Sequence, residues 1–230
     1  MTNAPIDPRW PKLLSLAVHE FRTPITVVAG YIRMLLRERA GPISDQQRKL
    51  LEEAEKSCGR LSALVSEMSD LSALEGGKTT LNRGTVELHA LLSDAIASLP
   101  PLPDREVRVE LEGDGPVSAS ADATRLKGAF AALVMALRRE LVTSDRLVVR
   151  LLARDGASRV VIGAPERIEG LAGADPDALS RFNEWRGGSG LSLAVARRII
   201  DQHGGTLYGG HDEEDKAGAL VVLPRVGDGG

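Results

Sequence analysis

One cysteine, Cys58, stands in 230 residues. No disulfide within the chain and no cysteine-based zinc site is possible, which fits a reducing cytosol. Aromatic side chains make up only 3% of the chain, so its core must be built from Leu, Val, Ile and Ala. No apolar run approaches the roughly 20 residues that span a bilayer. The N-terminal MTNAPIDPRWPK lacks the charged start and apolar block of a secretion signal. A soluble, cytoplasmic protein without a membrane span is expected. An excess of positive charge is also missing: the net charge is −3, which argues against nucleic acid or anionic membrane as the main partner. His89, His203 and His211 fall in no metal-ligand spacing, so no metal site is expected.

Hydrophobic residues reach 43%, enough for a packed core. The two parts of the chain are patterned differently. Residues 8–75 read as helix almost throughout. Leu14, Val18, Phe21, Ile25, Val28, Ile32 and Leu35 follow spacings of 4 and 3 in alternation, a heptad stripe. The stripe stops before Ala40-Gly41-Pro42-Ile43, a helix stop and turn. Ser44 lies three residues before Gln47, which is the signature of a capping box for a second helix. That helix carries Leu50, Leu51, Ala54, Cys58, Leu61, Leu64, Val65, Met68, Leu71 and Leu74, a stripe wide enough for a four-helix bundle. One chain supplies only two such helices. A homodimer of hairpins would complete the bundle; packing of the hairpin on the rest of the chain is the alternative.

Glu75-Gly76-Gly77-Lys78 reads as a hinge, which divides the chain into residues 1–77 and 78–230. The second part mixes elements. Helices are expected at 86–99, 122–141 and 191–203. Strands are expected at 107–111, 117–120, 147–152, 159–162 and 218–223, with a turn at Asp155-Gly156. This order predicts an α/β sandwich, with helices on one face of a mixed sheet. Asp212 to Asp215 reads as a charged hairpin turn.

The sharpest local feature is His19-Glu20-Phe21-Arg22-Thr23-Pro24. Phe21 is on the apolar stripe; His19 and Thr23 are off it, one helical turn apart on one face. A carboxylate beside an exposed imidazole can hold its tautomer and accept its proton, which makes the other nitrogen a better nucleophile. A hydroxyl one turn away can orient a water. Pro24 inside a helix removes a backbone hydrogen bond.

His19 to Pro24, with the helix pair and the α/β part that follows, resembles the H-box and build of two-component sensor histidine kinases of the HisKA type. The resemblance implies a dimeric hairpin followed by a GHKL-type ATPase fold. It implies that His19 is the phosphoacceptor and Glu20 the acid/base partner. Thr23, matching an ExxT pattern with Glu20, would position the water that dephosphorylates a partner's aspartate.

The family's nucleotide boxes are matched unevenly. Gly188, Gly190 and Leu191, followed by His203-Gly204-Gly205, look like its glycine-rich turn, helix and HGG end. Glycines there can turn backbone N–H groups toward phosphates. Asp122, Arg125 and Leu126 match the start of its asparagine-bearing helix, but Ala132 and Ala136 stand where the asparagines belong. Alanine offers no oxygen to magnesium. Where a DxGxG turn should follow the strand ending near Val161, the sequence reads Gly163-Ala164-Pro165-Glu166-Arg167. The lid is reduced to Asn183 to Arg186, with Trp185 expected to cover apolar surface. Arg125, Gly188, Gly190 and Leu191 are therefore candidates for a vestigial cofactor site. ATP and Mg²⁺ are the cofactors the resemblance implies, and the missing residues leave neither assigned. Glu140, one turn after Ala136, is the one candidate rescuing ligand.

These residues lead to a histidine-kinase-family phosphotransferase whose His19 exchanges phosphoryl with a response-regulator receiver aspartate, and whose Glu20 and Thr23 support receiver dephosphorylation. An ATP-dependent protein-histidine kinase with an atypical site is the runner-up. A non-enzymatic dimeric scaffold is the third reading. With no sensor segment in the sequence, either input arrives through a partner or the sequence is a piece of a longer chain.

Overall fold

The computed structural model describes residues 9–77, 79–113, 117–142, 144–185, 190–209 and 218–225. Gly188 and the Asp212–Asp215 tract lie outside them. The chain forms two compact units, Met1–Thr79 and Thr80–Gly230.

In the first unit, α1 (Trp10–Leu36) and α2 (Asp45–Glu75) form an antiparallel hairpin. Pro11 fits the first turn of α1, where no intrahelical donor is needed. The helix ends at Leu36, short of the glycine that the sequence offers as its stop. The reason is a left-handed residue that is not glycine: Glu38 has φ 56°. Arg39 N–H donates to Met34 O and Glu38 N–H to Leu35 O, a Schellman closure. Arg48 of α2 holds it by donating to the Glu38 carboxylate and to Leu36 O. The capping box of α2 forms as read: Ser44 N–H donates to Gln47 Oε1 at 2.8 Å, and Gln47 N–H to Ser44 Oγ at 3.3 Å.

Leu14, Val18, Ala29 and Ile32 of α1 are buried against Cys58, Val65 and Leu74 of α2. Of the other stripe positions, Ile25 and Leu35 are half-buried, while Phe21 and Val28 are 52% and 49% exposed, alongside Leu13, Leu16, Tyr31 and Leu61. The hairpin thus buries one side of its apolar surface and leaves another open.

The second unit begins with β1 (Gly84–Glu87), followed by α3 (Leu88–Ala97), β2 (Arg108–Gly113), β3 (Ser118–Ala121) and α4 (Ala123–Glu140). Next come β4 (Arg146–Arg154), β5 (Ala157–Gly163), α5 (Pro165–Gly173), α6 (Ser192–Gln202), β6 (Thr206–Tyr208) and β7 (Gly218–Pro224). β1 and β3 make a small antiparallel pair. The main sheet runs β2-β4-β5-β7-β6, parallel between β2 and β4 and antiparallel elsewhere. The helix expected from Val86 starts two residues later. Val86 pairs with Ala119, and Glu87 caps α3 by accepting from His89 N–H and Ala90 N–H. The Asp155-Gly156 turn forms with positive φ at both residues, which matches a two-residue hairpin.

Helices cover both faces of the sheet, not one. Val148, Val161 and Leu220 contact Ile168, Leu171 and Ala172 of α5. Arg150 pairs with Glu169, Arg154 donates to Ala172 O, and Arg159 donates to Ala174 O. Strand side chains alternate, so Leu147, Val149, Leu151, Val160 and Ile162 face the opposite way and are buried beneath the α3, α4 and α6 layer. The sequence hides α5 because its apolar residues are few and Gly170 and Gly173 interrupt it.

Candidate functional site

His19 lies on the exposed side of α1, with its side chain 81% accessible. Its Nδ1 is 3.5 Å from Glu20 Oε1, within ion-pair range though long for a hydrogen bond. The contact orients Nδ1 toward the carboxylate and leaves Nε2 turned to solvent. Thr23 is exposed one turn further along. Pro24 lies within α1 and, having no N–H, leaves the Glu20 carbonyl without that helical donor. His19, Glu20 and Thr23 therefore share one accessible stretch of a rigid helix. A nucleophilic nitrogen, a base and a hydroxyl are what phosphoryl exchange and hydrolysis at an incoming group require.

The residues matched to nucleotide boxes are placed differently. Asp122 is buried and caps α4, accepting from Arg125 N–H and Asn82 N–H at 3.1 Å each. Burial pushes its carboxyl up, but these two donors and the Arg125 guanidinium outweigh it and hold it below the ordinary range. Arg125 Nε stands 3.7 Å from the same carboxylate. The Asp122 N–H donates to His203 Nε2 at 2.9 Å, and His203 Nδ1 lies 2.7 Å from Ile199 O. With Nε2 accepting, Nδ1 carries the proton. His203 is 2% exposed, a brace between the start of α4 and the end of α6.

The two glycines after His203 are explained by packing. Gly204 has φ 75° and closes α6 in a Schellman motif, with Gly204 N–H on Asp201 O and Gly205 N–H on Ile200 O. A Cβ at Gly205 would lie 2.6 Å from Leu223 Cδ2 and 2.7 Å from Val222 O. Gly190 is exposed with φ 59°, and Leu191, half-buried, leads into α6 without a side-chain cap.

Ala136 is buried in α4 and Ala132 half-buried, neither bearing a polar side-chain atom. After β5 the backbone passes straight into α5, with Ala164 at the cap and Pro165 in the first turn. Glu166 is exposed on that turn, so the stretch that would hold an acid and two glycines is helix. The segment leading into the lid, and Glu184 within it, are pinned. Gly209 N–H donates to Ser180 O, Arg181 bridges Tyr208, Phe182 is buried, and Glu184 pairs with Arg197. Trp185 does not cover apolar surface as expected: it is 69% exposed. Among the described residues no group of His, Cys, Asp and Glu could hold a metal ion, and no helix is long and apolar enough to cross a membrane.

Sequence reasoning missed Asn82, whose backbone is held by Asp122, and the bracing role of His203. Nothing local in the sequence marks a contact across 81 residues.

Residues 12–77 match the His Kinase A (phospho-acceptor) domain. The chain is 28% identical over 204 residues to the sensor protein GacS of Pseudomonas syringae pv. syringae, covering 82% of this chain and 22% of that protein. It is 26% identical over 206 residues to the histidine-protein kinase BarA of Escherichia coli K12, again covering 82% and 22%. It is 27% identical over 207 residues to the circadian input-output histidine kinase CikA of Synechococcus elongatus, covering 85% and 27%. The chain thus spans about a quarter of the length of these curated relatives. Among solved structures, full-length ShkA in complex with AMPPNP superposes with a TM-score of 0.69 at 21% identity, covering 94% of this chain and 46% of that one. The histidine kinase AdeS of Acinetobacter baumannii gives 0.59 at 19% identity, covering 90% and 98%.

Proposed function

Because the chain belongs to the family of two-component sensor histidine kinases, we propose that it is a phosphotransfer protein whose His19 exchanges phosphoryl with a response-regulator receiver aspartate. Residues 1–77 are the dimerisation and phosphotransfer hairpin, and residues 78–230 an ATPase-like unit without its ligand chemistry. The exposed His19 beside Glu20, with Nε2 open, is the observation that carries this reading. The receiver would supply the carboxylates and magnesium of the reaction, so His19 needs no nucleotide of its own.

In the step, the Nε2 lone pair attacks the phosphorus of the receiver's aspartyl phosphate. The N–P bond forms, the P–O bond breaks, and the carboxylate leaves with the electron pair. Glu20 holds the Nδ1 proton of the imidazolium so formed. Thr23 orients a water when the receiver is dephosphorylated instead. Two hairpins paired through the open face bearing Phe21 and Val28 make the dimeric bundle.

The alternative is ATP-dependent phosphorylation of His19, favoured by the names of the relatives. It is set against Ala132, Ala136 and the helix at 165–173. Incubation with a ³²P-labelled receiver tests the reading: label should appear on wild type and not on His19→Ala. Retention of all label on the receiver would overturn it.

A further inference from the structure

Arg22 lies three residues after His19 on the same helical face, where neighbouring Cβ atoms are about 5–6 Å apart. It is exposed, and among the described residues its guanidinium has no acceptor. It lines a groove of about 280 Å³ between α1 and α2 with Ile25, Thr26, Ser62, Val65 and Ser66. The polar rim is one-sided. The Thr26 hydroxyl donates to Arg22 O at 2.8 Å and the Ser62 hydroxyl to Cys58 O at 2.9 Å. With those protons committed, both present only lone pairs to the groove, which repel an anion. That leaves the Ser66 hydroxyl and the Arg22 guanidinium as donors at the groove, and of its lining residues only Arg22 carries a positive charge.

The chemistry at His19 brings an anion to that place. A phosphoryl on Nε2 carries one to two negative charges, and it would stand near the Glu20 carboxylate, which repels it. A guanidinium is always charged, and its planar fork matches phosphoryl oxygens two at a time. We propose that Arg22 binds the phosphoryl group carried by His19, offsetting Glu20 and favouring the phosphorylated histidine. This rests on His19 as phosphoacceptor but is independent of which protein donates the phosphoryl.

Potassium phosphoramidate, a chemical donor that needs no receiver, supplies the test. The 230-residue chain as wild type, Arg22→Gln and Arg22→Lys is labelled at His19 and the ³¹P resonances followed with pH. Facing groups are Glu20 on α1 and the hydroxyls of Ser62 and Ser66 on α2, and all are unchanged among the variants. In wild type the phosphoryl should lose its last proton at least about half a pH unit lower than in Arg22→Gln, because a nearby cation favours the dianion. Arg22→Lys should lie between them. In exchange with a receiver, Arg22→Gln should shift the equilibrium toward the receiver several-fold. Superimposed titrations of wild type and Arg22→Gln would overturn the proposal, as would a His19 that phosphoramidate fails to label. Wild type that takes label from phosphoramidate but exchanges none with a receiver defeats the phosphotransfer reading alone; the Arg22 contrast is still decided by the titrations.

Discussion

The backbone N–H of Asp122 donates to Nε2 of His203, 2.9 Å away and 81 residues later in the chain. The bond joins the first turn of α4 to the last of α6, and the Asp122 carboxylate adds Asn82 to the same knot. Asp122, His203 and Gly205, which by sequence look like parts of a nucleotide site, thus each hold a place in the fold. The histidine braces, the aspartate caps and Gly205 lets a strand approach.

Replacing His203 by Ala removes a buried ring and leaves the Asp122 N–H without its acceptor. The second unit should lose about 2–4 kcal/mol, read as a lower urea midpoint. Asp122→Asn should show the pH dependence of the same knot. The folded carboxyl lies below its ordinary value. Its stabilisation is therefore fully present above the unfolded value of about 3.9 and is lost as pH falls through the lower folded value. The gap between wild type and Asp122→Asn should be widest near neutrality and narrow below about pH 4. A gap independent of pH would show that the charge does not contribute.

Gly205→Ala should destabilise by about 1–3 kcal/mol, since its Cβ must displace Leu223 and the Val222 backbone. Gly190→Ala places a side chain at an unfavourable positive φ on an exposed position and should cost about 1 kcal/mol. Thermal denaturation of the two variants ranks them. The reverse order would mean that the glycine at 190, not the one at 205, carries the packing constraint.

Phe21→Glu with Val28→Glu places charge on the open stripe of α1 without touching the buried Leu14, Val18 and Ile32. Wild type should sediment as a dimer, and the double variant as a folded monomer with helical content retained. A wild-type monomer at micromolar concentration would remove the bundle.

How much was legible follows from the range of each signal. The hairpin, the Ser44–Gln47 box, the Asp155-Gly156 turn and strands β2, β3, β4, β5 and β7 are local or periodic patterns, and they appear where the sequence puts them, whereas the three-residue β6 is too short to leave a pattern. The end of α1 was not legible, because its left-handed residue is Glu38, held by Arg48 from the next helix. β1 is short, and Val86 suits strand and helix alike. α5 was hidden for lack of apolar residues. His19 could be singled out from the sequence because the whole string around it is local. The knot at Asp122 was not, because it is made in three dimensions.

Thr23→Ala should accept phosphoryl at His19 as wild type does but dephosphorylate a receiver at least about tenfold more slowly, since it lacks only the hydroxyl proposed to orient water. His19→Ala should accept none, yet unfold within about 0.5 kcal/mol of wild type, as an exposed side chain allows. Equal losses of transfer and dephosphorylation in Thr23→Ala would reassign the hydroxyl.

Calorimetric titration of the chain with ATP, with and without Mg²⁺, bears most directly on the proposed separation of an accessible phosphoacceptor at His19 from an ATPase-like unit without its ligand chemistry. No saturable heat is expected up to about millimolar ATP, with or without the metal, because alanines stand at 132 and 136 and a helix occupies 165–173. Micromolar binding that strengthens with Mg²⁺ would contradict the account and make this chain a kinase in its own right.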